Sequence, residues 1–158
     1  MSEEMIHPRF SDHEERALAT VLDQIIPPRS DGRLPGAGEL GLVRHIEQVV
    51  QQAPHLGPVI VQGLSALDKL ARSRNPAGFV ALSSQDKSQL LSQLTASQQG
   101  FLPSLIFHTY VGYYQDARVV EALGLEARPP FPKGHEMEPN DLSLLDPVRQ
   151  RPKLYRQG

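Results

Sequence analysis

The segment most informative about the fold is DQIIPPRSDGRLPGAGELGLVRHIEQVV, residues 23–50. Its first apolar segment ends at Pro27 and Pro28, because proline donates no backbone hydrogen bond and disfavours helix in the residue before it. A polar loop containing four glycines follows, and a second apolar segment begins near Leu42. This order predicts two helices, of which the first ends at the prolines and the second follows a glycine-containing turn.

The glycines of this loop raise the alternative of a phosphate-binding site. Their spacing matches neither the Gly-x-Gly-x-x-Gly nor the Walker pattern, and no strand is predicted before them. Glycine also permits the positive φ angles that a tight reversal needs. The sequence therefore favours a structural elbow over a nucleotide site.

Apolar residues at helical spacing continue on both sides of the elbow. Ser11 and Glu14 fit a capping box, and Phe10 occupies the staple position before it. Asn75-Pro76 predicts the end of a helix, and Ser83 is a favourable N-cap for the next one. The predicted helices are one between Ser11 and Pro27, then Glu39–Gln52, Pro58–Arg74, one after Ser83, 101–116 and a short one within 117–125.

The fifth of these helices, FLPSLIFHTYVGYYQD, is apolar on most sides, which is typical of a buried central helix. One stripe contains Leu102, Leu105, Ile106, Tyr110 and Tyr113, and a second contains Phe107, Val111 and Tyr114. The aromatic residues among them could stack on a ligand, but helical spacing favours a place in the core.

The C-terminal region differs in composition from the helical part. Six of the chain's 14 prolines lie between Pro129 and Pro152. Proline-rich backbone favours an extended state, yet this region keeps more large apolar residues than a disordered tail usually does. We therefore predict an all-α fold: a single compact bundle of five to six helices over residues 1–125, with an extended Pro-rich strap over 126–158.

Several functional classes find no support in the composition. The net charge of −2 implies no attraction to nucleic acid, and the absence of cysteine removes thiolate chemistry and Cys-based metal sites. No run of roughly 18 apolar residues predicts a membrane span. The start of the chain has no export signal, so we expect a cytoplasmic protein unless a partner carries it to the periplasm.

No motif predicts a catalytic, cofactor-binding or metal-binding residue in this chain. The six histidines lack the spacing of a zinc protease, and the loop containing His135 is more typical of a solvated segment than of a metal site. No Gly-x-Ser-x-Gly elbow occurs. His108, within the apolar fifth helix, could transfer a proton together with a tyrosine such as Tyr110, although a structural histidine is the more common case.

Three segments resemble the gluconate 2-dehydrogenase subunit 3 family. They are LATVLDQIIPPRSDGRLPGAGELGLVRHIEQVV with its IIP step, GLSALDKLARSRNPAGFVALSSQDKSQLLSQL, and FLPSLIFHTYVGYYQD. Their order and spacing agree with the family over residues 15–117. The resemblance implies a non-catalytic accessory subunit that stabilises or chaperones a large flavoprotein of the glucose-methanol-choline oxidoreductase type. That large subunit would carry FAD and oxidise a sugar or polyol, and a cytochrome c subunit could accept its electrons.

An accessory subunit needs a docking surface, and we expect the strap and an exposed helix face to provide it. Aromatic and arginine side chains commonly carry interface energy. The predicted partner-binding residues are Phe131, Leu145, Arg149, Arg151, Leu154, Tyr155 and Arg156. Two alternatives are a homo-oligomeric helical scaffold and a small stand-alone isomerase or lyase that uses His108.

Overall fold

The computed structural model describes residues 10–129, 134 and 138–152. Helix is the regular structure throughout these residues, and they include no strand, so the predicted all-α class is confirmed. The chain divides into two units, Met1–Ala127 and Arg128–Gly158. The α-helices are α1 Asp12–Ile25, α2 Val43–Gln52, α3 Leu56–Arg74, α4 Ser84–Ser97, α5 Phe101–Gln115, α6 Ala117–Ala122 and α7 Asp146–Arg149. Short 3-10 helices span Phe79–Ala81 and Leu142–Leu145.

Helix α1 begins at the predicted capping box. The Glu14 amide donates to Ser11 Oγ over 3.4 Å, and the Ser11 amide donates to the Glu14 carboxylate over 2.9 Å. Phe10 is buried beneath this cap, as expected of a staple residue. The cap satisfies backbone donors that have no partner within a helix, and it thereby fixes where α1 starts.

The loop after α1 folds back against that helix. Asp23 Oδ1 accepts hydrogen bonds from the amides of Gly38 and Glu39, at 2.8 and 3.2 Å. A Cβ atom on Gly38 would collide with the backbone carbonyl of Ala19, so only glycine permits this approach. The loop is therefore an elbow held by one carboxylate of the preceding helix.

The elbow also corrects the predicted start of the second helix, which begins at Val43 rather than Glu39. Gly41 has a φ of +85°, a left-handed conformation that ordinary side chains rarely adopt and that interrupts a right-handed helix. The amide of Leu42 donates to the carbonyl of Ala37 over 3.3 Å. Residues 38–42 thus form turns that lead into α2 instead of its first turn.

The core of the first unit forms where α3 and α5 cross the other helices. Helix α3 packs against α1, α2, α4 and α5. Gly63 of α3 has no room for a side chain because the ring of the fully buried Phe101 lies against it. The largest fully buried side chains are Phe10, Phe79, Phe101, Leu18, Leu22, Ile46, Ile60, Leu64, Leu67, Leu90, Leu94 and Leu105.

Helix α5 departs from the expected burial. It contacts α1, α2, α3, α4 and α6, but only one of its sides is covered. Its buried residues are Phe101, Leu105, Thr109, Gly112 and Tyr113. Ile106, Phe107, Tyr110 and Tyr114 are exposed. A small bundle of short helices offers a single layer of neighbours, so a helix that is apolar all round keeps one apolar side uncovered.

The described part of the second unit contains one short helical segment. The Asp141 carboxylate accepts hydrogen bonds from the amide and the hydroxyl of Ser143, at 3.0 and 2.6 Å, and the 3-10 helix begins there. Helix α7 follows directly, with Pro147 in its first turn, where its missing amide hydrogen costs nothing. Among the described residues, no helix has the length and hydropathy needed to cross a bilayer.

Candidate docking surface

The exposed side of α5 carries four large apolar or aromatic residues, which we call the outer face: Ile106, Phe107, Tyr110 and Tyr114. Their exposed fractions are 43, 64, 46 and 52%. The helix has no Asp, Glu, Lys or Arg between Phe101 and Gln115. Contiguous apolar side chains without charges among them are uncommon on the surface of a monomer and usually mark an interaction site.

The rings of the outer face are held in defined positions. Tyr110 and Tyr114 stack with centroids 6.1 Å apart and an interplanar angle of 26°. Tyr114 also meets the edge of Tyr113 at 5.4 Å. The Tyr113 hydroxyl donates to the carbonyl of Pro35 over 2.8 Å, which connects the buried side of α5 to the elbow. An aromatic patch that is already ordered loses less entropy when a partner binds.

Burial changes the acidity of the tyrosine beneath this patch. Burial, and then the neighbouring Tyr114, raise the pKa of Tyr113 above its ordinary value. The phenol therefore keeps its proton at neutral pH and can donate it to Pro35. Its role is to position the helix.

His108 and Tyr110, the pair considered for proton transfer, lie on different sides of α5. Residues two apart on a helix point in different directions. His108 is half-buried and Tyr110 lies on the outer face. Burial, and then the nearby His45, lower the pKa of His108, and its ring meets the edge of Phe107 at 5.0 Å. These neighbours indicate a histidine packed between α2 and α5.

A concave region lies between α1 and the 3-10 helix Phe79–Ala81, with Asp68 of α3 in its wall, and has a volume of about 270 Å³. Its polar centre is Asp68, whose carboxylate lies 3.0 Å from His13 Nε2 and accepts a 2.7 Å hydrogen bond from Arg72 Nε. Partial burial alone would raise the pKa of Asp68, but the hydrogen bonds from Arg72 and His13 outweigh it and lower this pKa. The arrangement connects α1 to α3, and no sequence pattern predicts a pair that is 55 residues apart.

Metal binding finds no support in the part of the chain that the structure describes. No three His, Cys, Asp or Glu side chains converge among those residues. His45 Nε2 and Glu47 Oε1 of α2 are buried without a hydrogen-bond partner there. The ring of His45 fills the space above Gly112 of α5, so its position follows from helix packing.

The predicted strap anchors are described only in part. Leu145 is 45% exposed at the end of the 3-10 helix. Arg149 pairs with Asp146 over 3.2 Å, and Arg151 follows α7 on the surface. Phe131, Leu154, Tyr155 and Arg156 lie outside the described residues. Other apolar residues of this segment are exposed as well, namely Leu142, Leu144 and Val148.

The outer face was missed as a docking surface in the sequence because its residues were expected in the core. The available signal was the double stripe of the fifth helix. A helix with two apolar sides in a bundle this small has one side more than its neighbours can cover. The exposed side combines Ile106 and Tyr110 of the first stripe with Phe107 and Tyr114 of the second, so the boundary between covered and exposed residues does not follow the stripes.

Comparison with known proteins supports one family. The family model described as Gluconate 2-dehydrogenase subunit 3 matches residues 12–127. No curated protein and no solved structure matched the chain. The match covers well over half of the sequence, and its last residue is also the last residue of the first unit. The chain therefore belongs to the gluconate 2-dehydrogenase subunit 3 family, whose members are accessory subunits of a dehydrogenase complex.

Proposed function

We propose that this chain is a non-catalytic subunit that binds and stabilises the large flavoprotein subunit of a sugar or polyol dehydrogenase. The observation that supports this most directly is the outer face of α5, an uncharged aromatic surface on a member of an accessory-subunit family. Burying apolar area on a partner is favourable, and the part of that gain that exceeds the ordering cost of association stabilises the complex. FAD, and any electron transfer to a cytochrome c, would belong to the other subunits.

The second unit provides the other half of the proposed interface. Its helical segment presents Leu142, Leu144, Leu145 and Val148 to solvent, and Arg149 and Arg151 follow. A short segment that carries apolar groups at helical spacing suits recognition in a groove of the partner. We propose Leu145, Arg149 and Arg151 as its contact residues. The sequence-based expectation of a cytoplasmic complex stays a prediction.

The test is binding of a large flavoprotein of the glucose-methanol-choline type from the same organism, measured by calorimetry for the wild type and for Ile106→Asp. We expect Ile106→Asp to weaken binding at least tenfold, because a carboxylate in an apolar contact loses its hydration without gaining a partner. Val61→Asp is the matched control, since Val61 is an exposed aliphatic residue of α3 with a similar exposed fraction, 37%. Equal binding by the two variants would contradict the proposal.

The homo-oligomeric alternative uses the same surface and predicts a different result. If the outer face pairs with a second copy of this chain, light scattering on the purified protein gives twice the monomer mass. Ile106→Asp would then restore the monomer, and the large subunit would not bind. A monomeric wild type that binds the large subunit excludes this alternative.

A further inference from the structure

A groove lies beside the outer face, between α1, α4 and α5, and has a volume of about 290 Å³. Helix α5 contributes the apolar residues that also face solvent, and α1 and α4 form the opposite wall. The lining residues are Gln24, Ile25, Ser88, Leu91, Leu102, Ile106 and Tyr110.

The chemistry of the groove excludes a charged occupant. None of its lining residues is Asp, Glu, His, Lys or Arg. Its polar end is already hydrogen-bonded within the chain, because the Ser88 hydroxyl lies 3.2 Å from Gln24 Oε1 and 3.0 Å from the carbonyl of Ser84. A charged group entering the groove would lose water without meeting an opposite charge, whereas an apolar group would gain from the same transfer.

The size of the groove also limits what it can hold. Small-molecule sites usually have volumes of about 300–1,000 Å³ and enclose most of the ligand. This groove lies just below that range and is open on one side. Protein interfaces, by contrast, often contain a pocket of this kind that receives one large anchoring side chain.

We infer that the groove receives a single large uncharged side chain, aromatic or long aliphatic, from the large subunit of the dehydrogenase. This inference rests on the proposed function, which supplies the partner. Ile106 and Tyr110 line the groove and also belong to the outer face, so an anchor in the groove and contacts to the outer face form one continuous interface. Aromatic anchors suit such a site because they bury about 150–250 Å² each.

The experiment blocks the groove by introducing a large side chain at one of the residues that line it. Ser88→Trp places an indole at the wall formed by α4, and we expect it to weaken binding of the large subunit at least tenfold. Gln89→Trp is the matched control, because Gln89 is the next residue of α4, is exposed and does not line the groove. We expect wild-type affinity for this control. Urea denaturation and far-UV circular dichroism establish that both variants fold.

The outcomes separate the inference from the proposed function. If Ile106→Asp weakens binding and Ser88→Trp does not, the large subunit binds the outer face without an anchor in the groove, and the inference is wrong. If both variants bind normally, the inference and the proposed function fail together. Self-association of the wild-type chain that Ser88→Trp abolishes would overturn the assignment of the groove to the large subunit.

A second measurement keeps the inference testable if Ser88→Trp does not fold. The wild-type chain is titrated with N-acetyl-tryptophanamide and, separately, with N-acetyl-lysinamide, and amide shifts are followed by NMR. We expect the indole compound to shift the amides of Ile25, Leu91 and Ile106, and the lysine compound to leave them unchanged. Equal shifts with both compounds, or none with either, would overturn the inference.

Discussion

On one side of α5, Phe101 and Leu105 are completely buried against α3 and its neighbours, whereas on the other side Phe107 and Tyr114 have more than half of their surface in water. The two sides have almost the same chemistry, because aromatic and aliphatic residues dominate both. They differ in whether other helices of the bundle pack against them. Apolar area already buried contributes to the stability of the subunit, and apolar area still exposed is available to a partner.

The largest expected effect comes from replacing one aromatic residue by alanine on each side of α5. We expect Phe101→Ala to lower the free energy of unfolding by about 3–5 kcal/mol, because it leaves a cavity against Gly63 in the core. Phe107→Ala removes the same ring from the outer face and should change stability by less than about 0.5 kcal/mol. Urea denaturation of both variants measures the difference. Similar losses would mean that the two sides do not differ as described.

A smaller effect is expected from removing one hydroxyl group on each side. Tyr113→Phe deletes the donor to the carbonyl of Pro35, so we expect a loss of about 1 kcal/mol in the free energy of unfolding. Tyr114→Phe is the matched control, because Tyr114 is 52% exposed. A Tyr113→Phe variant as stable as Tyr114→Phe would show that the elbow does not depend on this hydrogen bond.

Much of the fold could be predicted because the decisive interactions are local. The Ser11–Glu14 capping box, the stop at Pro27 and the cap at Ser83 each act within four residues, and all three appear in the structure. The start of α2 was misplaced because apolar spacing continues through Gly41, whose positive φ does not show in a periodicity pattern. Local sequence rules therefore predicted where helices occur, but they did not predict that Gly41 delays the start of α2.

The candidate site was harder to predict because it depends on contacts between distant residues. Both stripes of α5 are apolar, and the placement of the neighbouring helices decides that Leu105 is buried while Phe107 is exposed. The same is true of the contact between His13 and Asp68. The strap residues Leu145, Arg149 and Arg151 were chosen by composition alone, and their role in binding stays a prediction.

The smallest expected effect concerns the pH dependence of stability at the junction of α2 and α5. Burial and His45 lower the pKa of His108 below its ordinary value of 6.5. The unfolded chain therefore binds a proton at this histidine more readily than the folded chain does. By linkage, the free energy of unfolding should decrease as the pH falls from about 6.5 toward the lower pKa of the folded state.

The variant His108→Gln isolates this contribution, because glutamine stays neutral over the whole range. We expect its stability to change less between pH 8 and pH 5 than that of the wild type, with urea midpoints as the measurement. Asp68, Asp116 and Asp141 also have lowered pKa values, but the stability that they contribute is lost only as the pH falls below about 5, outside this range. If His108→Gln kept the wild-type slope, His108 would be hydrated in the folded chain, and its packing against α2 would be looser than the structure shows.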